Sequence, residues 1–268
     1  MNVKELFDAG QLDEAVQAAL AEVRLHPSDV PRRSTLAELL CWAGDLERAD
    51  GQLETLGRQE PGAQFGVSLF RQLVRTAVAR QQFYRDGRLP EFLGPPSPQL
   101  QLHLQASIAL REGRSAEAAD LLAQAETQRR PIPGICNGQA FEDFRDLDDL
   151  TASFFEVLTT TGKYYWVPIE RISEIEFQKP AGLRDLLWRS ARMIVRDGPD
   201  GAVFLPVLYA GSETDPDVRV RLGRYTDWHG GDGELVRGVG QRTFLAGEQD
   251  VGIMEIETLT FEPTGPGA

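Results

Sequence analysis

Three clustered acids, Asp146, Asp148 and Asp149, are of the type that can ligate a metal ion. A calcium loop also needs a glycine for its sharp turn and a distant glutamate, and no glycine follows these acids at the right place. Acids are also favoured at the positive end of a helix, where they accept hydrogen bonds from free N–H groups. We therefore predict that they cap a helix over residues 152–158, and we predict no metal site.

Residues of the common catalytic motifs do not occur at their required spacings. His26, His103 and His229 are far apart in sequence, and none has a second metal ligand near it. Gly238 and Gly240 lie in a Gly-Val-Gly-Gln-Arg segment that lacks the third glycine of a dinucleotide-binding fingerprint. The sequence therefore predicts no catalytic, cofactor-binding or metal-binding residue, and it indicates a protein that is not an enzyme.

Residues 162–193 concentrate aromatic side chains, with Tyr164, Tyr165 and Trp166 adjacent. One interpretation is a platform on which a ligand stacks. The core of a small β-unit is favoured, because burial of an aromatic side chain contributes about 1.5–3 kcal/mol. If the protein were an enzyme, its site would lie around Tyr164, Trp166 and Arg171. The same three residues are candidate contacts for a protein partner.

Residues 1–130 form a predicted domain of helical repeats. The segment Gly-Gln-Leu-Asp-Glu-Ala at 10–15 recurs as Gly-Asp-Leu-Glu-Arg-Ala at 44–49, which is the 34-residue period of the tetratricopeptide repeat. We expect about seven antiparallel helices, whose stacking leaves a concave groove that usually binds a peptide or helix. Arg71 and Arg75 lie in a locally basic third unit and are further candidate partner contacts, with a solvated helix face as the alternative.

Residues 131–268 form a predicted second domain of mixed type. Short strands between turns rich in glycine, proline and aspartate predict a curled antiparallel sheet. We expect a short helix over 183–189, a strand over 221–226 and a frayed tail over 262–268. The predicted class is α+β, with N-terminal tetratricopeptide-like antiparallel helical repeats followed by a small mixed domain with a curled antiparallel β-sheet.

Composition restricts the partners and the compartment. The chain of 268 residues has 28 Lys and Arg against 41 Asp and Glu, a formal charge of −13, so nucleic acid is excluded as a partner. Its two cysteines, Cys41 and Cys136, indicate a reducing compartment. The sequence shows no signal peptide and no apolar run near the ~20 residues of a membrane span. We therefore expect a cytoplasmic protein without membrane insertion.

Six segments distributed along the chain carry a family resemblance. They are Leu-Leu-Cys-Trp-Ala-Gly-Asp-Leu-Glu-Arg-Ala at 39–49, Gly-Lys-Tyr-Tyr-Trp-Val-Pro-Ile-Glu-Arg-Ile at 162–172, Leu-Arg-Asp-Leu-Leu-Trp at 183–188, Pro-Val-Leu-Tyr-Ala-Gly-Ser-Glu at 206–213, Leu-Gly-Arg-Tyr-Thr-Asp-Trp at 222–228 and Gly-Val-Gly-Gln-Arg at 238–242. In this order they resemble the ImpE/SciE (TagJ) family over nearly the whole chain. The segments of the second half are the specific ones. Asp143 stands where the family often has a tryptophan.

The resemblance implies an accessory protein of the type VI secretion system in the bacterial cytoplasm. Members of the family are associated with the contractile sheath, are thought to bind the N-terminal helix of the small sheath subunit, and are linked to the ClpV-type unfoldase. The implied function is a non-catalytic adaptor of sheath assembly or recycling that needs no cofactor. The alternative from the residues alone is a general peptide-binding helical-repeat chaperone unrelated to secretion.

Overall fold

Helices form the first half of the chain. The computed structural model describes residues 1–231 and 234–263. Residues 1–130, all described, contain seven helices, the number that the repeat predicted. They are α1 Val3–Asp8, α2 Leu12–Leu25, α3 Val30–Trp42, α4 Leu46–Gln59, α5 Gln64–Asp86, α6 Pro98–Arg111 and α7 Ser115–Gln128. None of these helices, nor any other in the described ranges, is long and apolar enough to cross a membrane.

The turn within each of the first two helix pairs depends on a glycine. Gly10 between α1 and α2 has φ +81°, and Gly44 between α3 and α4 has φ +75°. This left-handed conformation carries no steric cost in a residue without a Cβ atom. Because the two glycines are 34 residues apart, the same turn recurs at the repeat period. The tetratricopeptide-like repeat is therefore confirmed.

Strands form most of the second half. In the described ranges they are β1 Gly134–Cys136, β2 Gln139–Phe141, β3 Phe144–Asp146, β4 Phe154–Thr159, β5 Tyr164–Pro168, β6 Ile172–Phe177, β7 Trp188–Val195, β8 Asp200–Pro206, β9 Thr226–His229, β10 Arg237–Gly240, β11 Thr243–Ala246, β12 Gln249–Gly252 and β13 Thr258–Phe261. A short helix, α8 Val218–Arg221, interrupts them. Of the predicted frayed tail, residues 264–268 lie outside the described part.

The strands pair antiparallel throughout. In the described part, eight of them form one sheet in the order β2-β1-β13-β6-β7-β8-β4-β5. A second sheet has the order β12-β11-β3, and β9 and β10 form a separate hairpin. The predicted α+β class, with helical repeats followed by an antiparallel sheet, is therefore confirmed.

The prediction of a helix over 152–158 is wrong. The segment contains strand β4, whose side chains are buried on both faces from Phe154 to Leu158. An apolar run of this length has no readable period, and its aromatic and β-branched residues favour a strand. Asp148 does act as a cap, but only for the 3-10 turn Asp149–Thr151, where its carboxylate accepts a hydrogen bond from Leu150.

Two further segments differ from their predictions. Residues 183–187 form a turn, closed by a hydrogen bond of 2.9 Å from the Trp188 N–H to the Arg184 carbonyl, and residues 188 and 189 begin β7. The predicted strand at 221–226 is wrong, because α8 ends at Arg221 and the chain then turns at Gly223, where φ is +63°. In both places local turn hydrogen bonds prevail over the apolar pattern.

The loop 87–97 covers the edge strand β5. The Glu91 N–H donates to the Tyr164 carbonyl at 2.8 Å, and the Trp166 N–H donates to the Glu91 carbonyl at 3.2 Å. The Arg171 guanidinium donates to the Leu93 carbonyl. Uncovered edge strands pair readily with other chains, so the loop protects this edge.

Helices and sheet pack against each other through shared hydrophobic clusters. Helix α5 packs against β4 and β5, where the rings of Phe83 and Trp166 pack edge-to-face with their centroids 4.8 Å apart. Phe70 of the same helix packs edge-to-face on Trp188 of β7, with the ring centroids 6.3 Å apart. The Trp42 indole N–H of α3 donates to the Leu183 carbonyl at 3.2 Å. The second half of the chain thus covers part of helices α3 and α5. The predicted division of the chain at residue 130 stays a prediction.

Candidate functional site

A buried ion network joins helix α5 to the sheet. Glu156 of β4 accepts from Arg80 at 2.7 Å and from Arg242 at 3.0 Å, and Arg242 also lies 2.5 Å from Asp146. Burial works to raise the pKa of Glu156, but the charges of Arg80 and Arg242 outweigh it and hold the pKa at about 2. The Tyr209 hydroxyl donates to Asp146 at 2.7 Å. Because the charges pair with one another, the network anchors the α5–sheet contact.

Two of the predicted partner contacts belong to this network. The Tyr164 hydroxyl donates to Glu156 at 2.5 Å, and the Trp166 indole N–H donates to the Tyr164 hydroxyl at 2.7 Å. Both side chains are buried, and Phe154 stacks on Trp166 at 4.0 Å. This placement favours a role in the core, the interpretation preferred for the aromatic run. A partner that touches the surface of the folded protein does not reach them.

The other three predicted contacts lie apart from one another. Arg71 makes a two-hydrogen-bond ion pair with Asp50, at 2.7 and 2.8 Å. Arg75 is exposed on α5. The Arg171 guanidinium donates to the Leu93 carbonyl in the loop over β5. The structure therefore does not bring the five candidates together on one surface, and their role as partner contacts stays a prediction.

The three acids that resembled a metal site form ion pairs with arginines. Asp148 pairs with Arg237 at 2.9 Å, and Asp149 pairs with Arg145 at 2.7 Å. Asp146 pairs with Arg242, as described above. No group of His, Cys, Asp and Glu within residues 1–231 and 234–263 is arranged to hold a metal ion. These acids therefore fix the loops of the second half.

His103 links α6 to the sheet region. Its Nδ1–H donates to the Leu150 carbonyl at 2.9 Å, and its Nε2 accepts from the Ser153 hydroxyl at 2.8 Å. Burial lowers the pKa of His103 to about 4, against the opposing effect of the hydrogen bond to Leu150. The ring is therefore neutral at physiological pH and has a structural role.

An open, apolar groove lies where the first repeat meets the second half of the chain. We call this cleft of about 710 Å³ the α1–α3 groove. Val3 and Phe7 of α1 and Ala19 of α2 form one side, and Leu183 and Leu186 of the turn before β7 form the other. Helix α3 contributes its face with Thr35 and Glu38. Grooves of this kind bind the apolar face of an amphipathic helix.

Sequence reasoning predicted a groove in the repeats but missed its second wall. Leu183 and Leu186 fall within the helix predicted over 183–189, whereas they lie in a turn and are partly exposed beside the groove. Leu183 and α3 are more than a hundred residues apart, so no local pattern joins them. The buried network was also missed, although one signal was readable. Glu156 is a charge in the middle of an apolar run, and such a residue needs a buried partner.

The fold defines a helical-repeat protein whose repeats pack on an antiparallel sheet, with an open groove between the first repeat and the second half. The family model "ImpE protein" matches residues 138–260. A curated relative, the type VI secretion system accessory component TagJ of Pseudomonas aeruginosa, is 31% identical over 264 residues, covering 98% of this chain and 92% of the relative. The chain belongs to the ImpE/TagJ family, as its sequence motifs indicated.

A solved structure shows the same fold. The crystal structure of protein VPA1032 from Vibrio parahaemolyticus superimposes with a TM-score of 0.91 at 29% sequence identity. The match covers 97% of each chain. It therefore includes the helical repeats as well as the sheet.

Proposed function

We propose that this protein is a non-catalytic adaptor of a type VI secretion system, acting in the cytoplasm, which binds a sheath component through the α1–α3 groove. The expected ligand is the N-terminal helix of the small sheath subunit. Support for the secretion role comes from the relative named as an accessory component, which matches almost the whole chain. The observation that carries the binding mode is the open apolar groove between the first repeat and the second half.

The dimensions of the groove suit part of a helix. A helix with its side chains is about 10–12 Å wide and rises about 5.4 Å per turn, so 710 Å³ corresponds to roughly one and a half turns. A segment of this length presents apolar anchors at positions i, i+3 and i+4. Leu183 and Leu186 are partly exposed and offer apolar contacts for such anchors, whereas Val3 and Phe7 are themselves buried. Short helical ligands of this kind bind through a few buried side chains, so single substitutions in the groove should weaken binding.

The test is a titration of a labelled peptide, the first helix of the small sheath subunit from the same bacterium, followed by fluorescence anisotropy. Leu186→Glu introduces a charge into the apolar wall and should weaken binding at least tenfold. Leu89→Glu is the matched control, since Leu89 is exposed and lies outside the groove. The control should bind like wild type.

Two results would count against the proposal. Absence of binding at about 100 μM peptide would reject the sheath helix as the ligand, because helix-in-groove complexes show at least weak affinity. Equal binding by wild type and Leu186→Glu would reject the groove as the site. With the sheath peptide bound, the ClpV-type unfoldase is the proposed second partner, and its co-sedimentation with the complex tests that part separately.

A further inference from the structure

Glu38 is a charged residue of α3 on the floor of the α1–α3 groove, which Lys4, Asp8, Glu22 and Arg32 also line. It lies on α3, one turn beyond Thr35, and its side chain is half-buried. No described residue donates a hydrogen bond to its carboxylate, and no described cation lies within 4 Å of it. Burial raises the pKa of this carboxyl above its ordinary value. A carboxylate in this position has lost part of its hydration without gaining a partner.

Lys4, Arg32 and Arg184 lie in or beside the groove, and none of the three pairs with Glu38. Arg184 is close enough for its charge to act on Glu38, yet its guanidinium lies over the Phe70 ring at 5.2 Å and 3.8 Å from Asp185. Arg32, on the same helix face, pairs instead with Glu22 and Asp29, at 3.5 and 3.4 Å.

A ligand in the groove would complete the desolvation of Glu38. An apolar side chain above the carboxylate would leave it buried and unpaired, which is costly. An arginine or lysine would instead form a charge-assisted hydrogen bond in a site with little water, where such bonds are strong. A carboxylate at this point would therefore disfavour a ligand with an apolar or acidic residue above it relative to one with a cation.

We infer that the α1–α3 groove selects a partner helix with an arginine or lysine inside its apolar face, and that Glu38 binds this cation. The inference rests on the proposed function, in that the groove binds a helix. It specifies which residue the bound helix must carry, and it holds for any helix that enters the groove. A helix with a purely apolar face binds poorly, and one with an acid at this point does not bind.

The test uses two designed 18-residue amphipathic peptides, neither taken from a secretion protein. They have the same leucine and alanine face and differ at one central position of that face, which is arginine in one and norleucine in the other. Binding is measured by isothermal titration calorimetry to full-length wild type, Glu38→Gln and Glu47→Gln. Glu47 is an exposed glutamate of α4 outside the groove, so Glu47→Gln is the matched control.

Wild type and Glu47→Gln should bind the arginine peptide at least tenfold more tightly than the norleucine peptide. The preference should vanish in Glu38→Gln, whose melting temperature should equal or exceed that of wild type, because no ion pair is lost. Leu186→Glu should weaken binding of both peptides, which places them in the groove.

Equal affinity of wild type for the two peptides would overturn the inference, as would a preference that survives in Glu38→Gln. The two proposals can fail independently. If the arginine peptide binds as expected and the sheath peptide does not, the sheath assignment is rejected and the cation site stands. If the sheath peptide binds and neither designed peptide does, the cation site is rejected and the adaptor function stands.

Discussion

Glu156 shows how a single charge in an apolar strand decides the packing around it. Its carboxylate is buried between Arg80 and Arg242 and also accepts from Tyr84 and Tyr164. Burying an ion pair gives little net stability compared with an apolar pair, but removing one partner leaves the other charge buried alone. We therefore expect the network to penalise packings of α5 on the sheet in which these charges do not meet.

Glu156→Gln should lower the free energy of unfolding by about 3–5 kcal/mol, because Arg80 and Arg242 then lack their shared countercharge. Urea denaturation followed by circular dichroism measures the change. Asp200→Asn is the control, since it removes an exposed ion pair with Arg192 on the sheet surface and should leave the midpoint unchanged. A loss in Glu156→Gln no larger than in the control would show that the network is not needed for stability.

His103 gives the protein a predictable response to acid. Its pKa is about 4 in the folded protein and 6.5 ordinarily, so between these pH values the unfolded chain binds a proton that the folded protein does not. The stability due to the neutral ring is complete above pH 6.5 and is lost as the pH falls towards 4. At ~1.4 kcal/mol per unit of pKa difference, the loss is about 3 kcal/mol.

His103→Asn should therefore be less stable than wild type at pH 7 and should lose less stability between pH 6.5 and 4.5. Denaturation curves at half-unit pH steps give the free energy of unfolding of both proteins as a function of pH. The range from pH 6.5 to 4.5 reports on His103 and not on Glu156. Glu156 has a lowered pKa in the folded protein, so its contribution to stability is lost only below pH 4.5, the ordinary pKa of a glutamate. His26→Asn, at an exposed helix end, should give a curve parallel to wild type. Parallel curves for wild type and His103→Asn would contradict the assignment of a neutral ring.

Among the elements, the helices of the long-period repeat were predictable from sequence, and so was an antiparallel sheet of short strands, but the short apolar run 154–159 was not. The 34-residue repeat gives the helices and their turns, because the glycine at each turn and the apolar face both recur. Phe154–Thr159 is six residues of nearly continuous apolar sequence without a readable period, and it forms a strand between β5 and β8. The groove depends on contacts between Leu183 and α3, which tertiary packing alone creates.

The loop over β5 is an element whose role can be tested by one backbone substitution. Glu91→Pro removes the N–H that donates to the Tyr164 carbonyl, while Glu91→Ala keeps it. Loss of the bond should expose the β5 edge, so Glu91→Pro should lower the melting temperature and increase self-association on heating. Light scattering during thermal unfolding measures both effects. Similar scattering from the proline and alanine variants would show that the loop does not protect the edge.

At the scale of the molecule, the contacts between the two halves bear on the predicted division at residue 130. Helices α3 and α5 present Trp42, Phe70 and Phe83 to the second half, and the indole of Trp42 donates to the Leu183 carbonyl. All three side chains are buried, and contiguous exposed apolar surface is uncommon on a protein that folds alone. The groove is bounded by both halves, so its shape depends on their being folded together.

We therefore expect the whole chain to unfold in one transition, with far-ultraviolet circular dichroism and tryptophan fluorescence changing together. A fragment of residues 1–130 should lack the apolar surface that covers Phe70 and Phe83, and should show helical signal without a cooperative transition. It should also fail to bind either designed peptide, because Leu183 and Leu186 are missing from the groove. A fragment that unfolds cooperatively near the wild-type temperature would establish residue 130 as a true domain boundary. Peptide binding by that fragment would in addition place the binding site within the repeats alone.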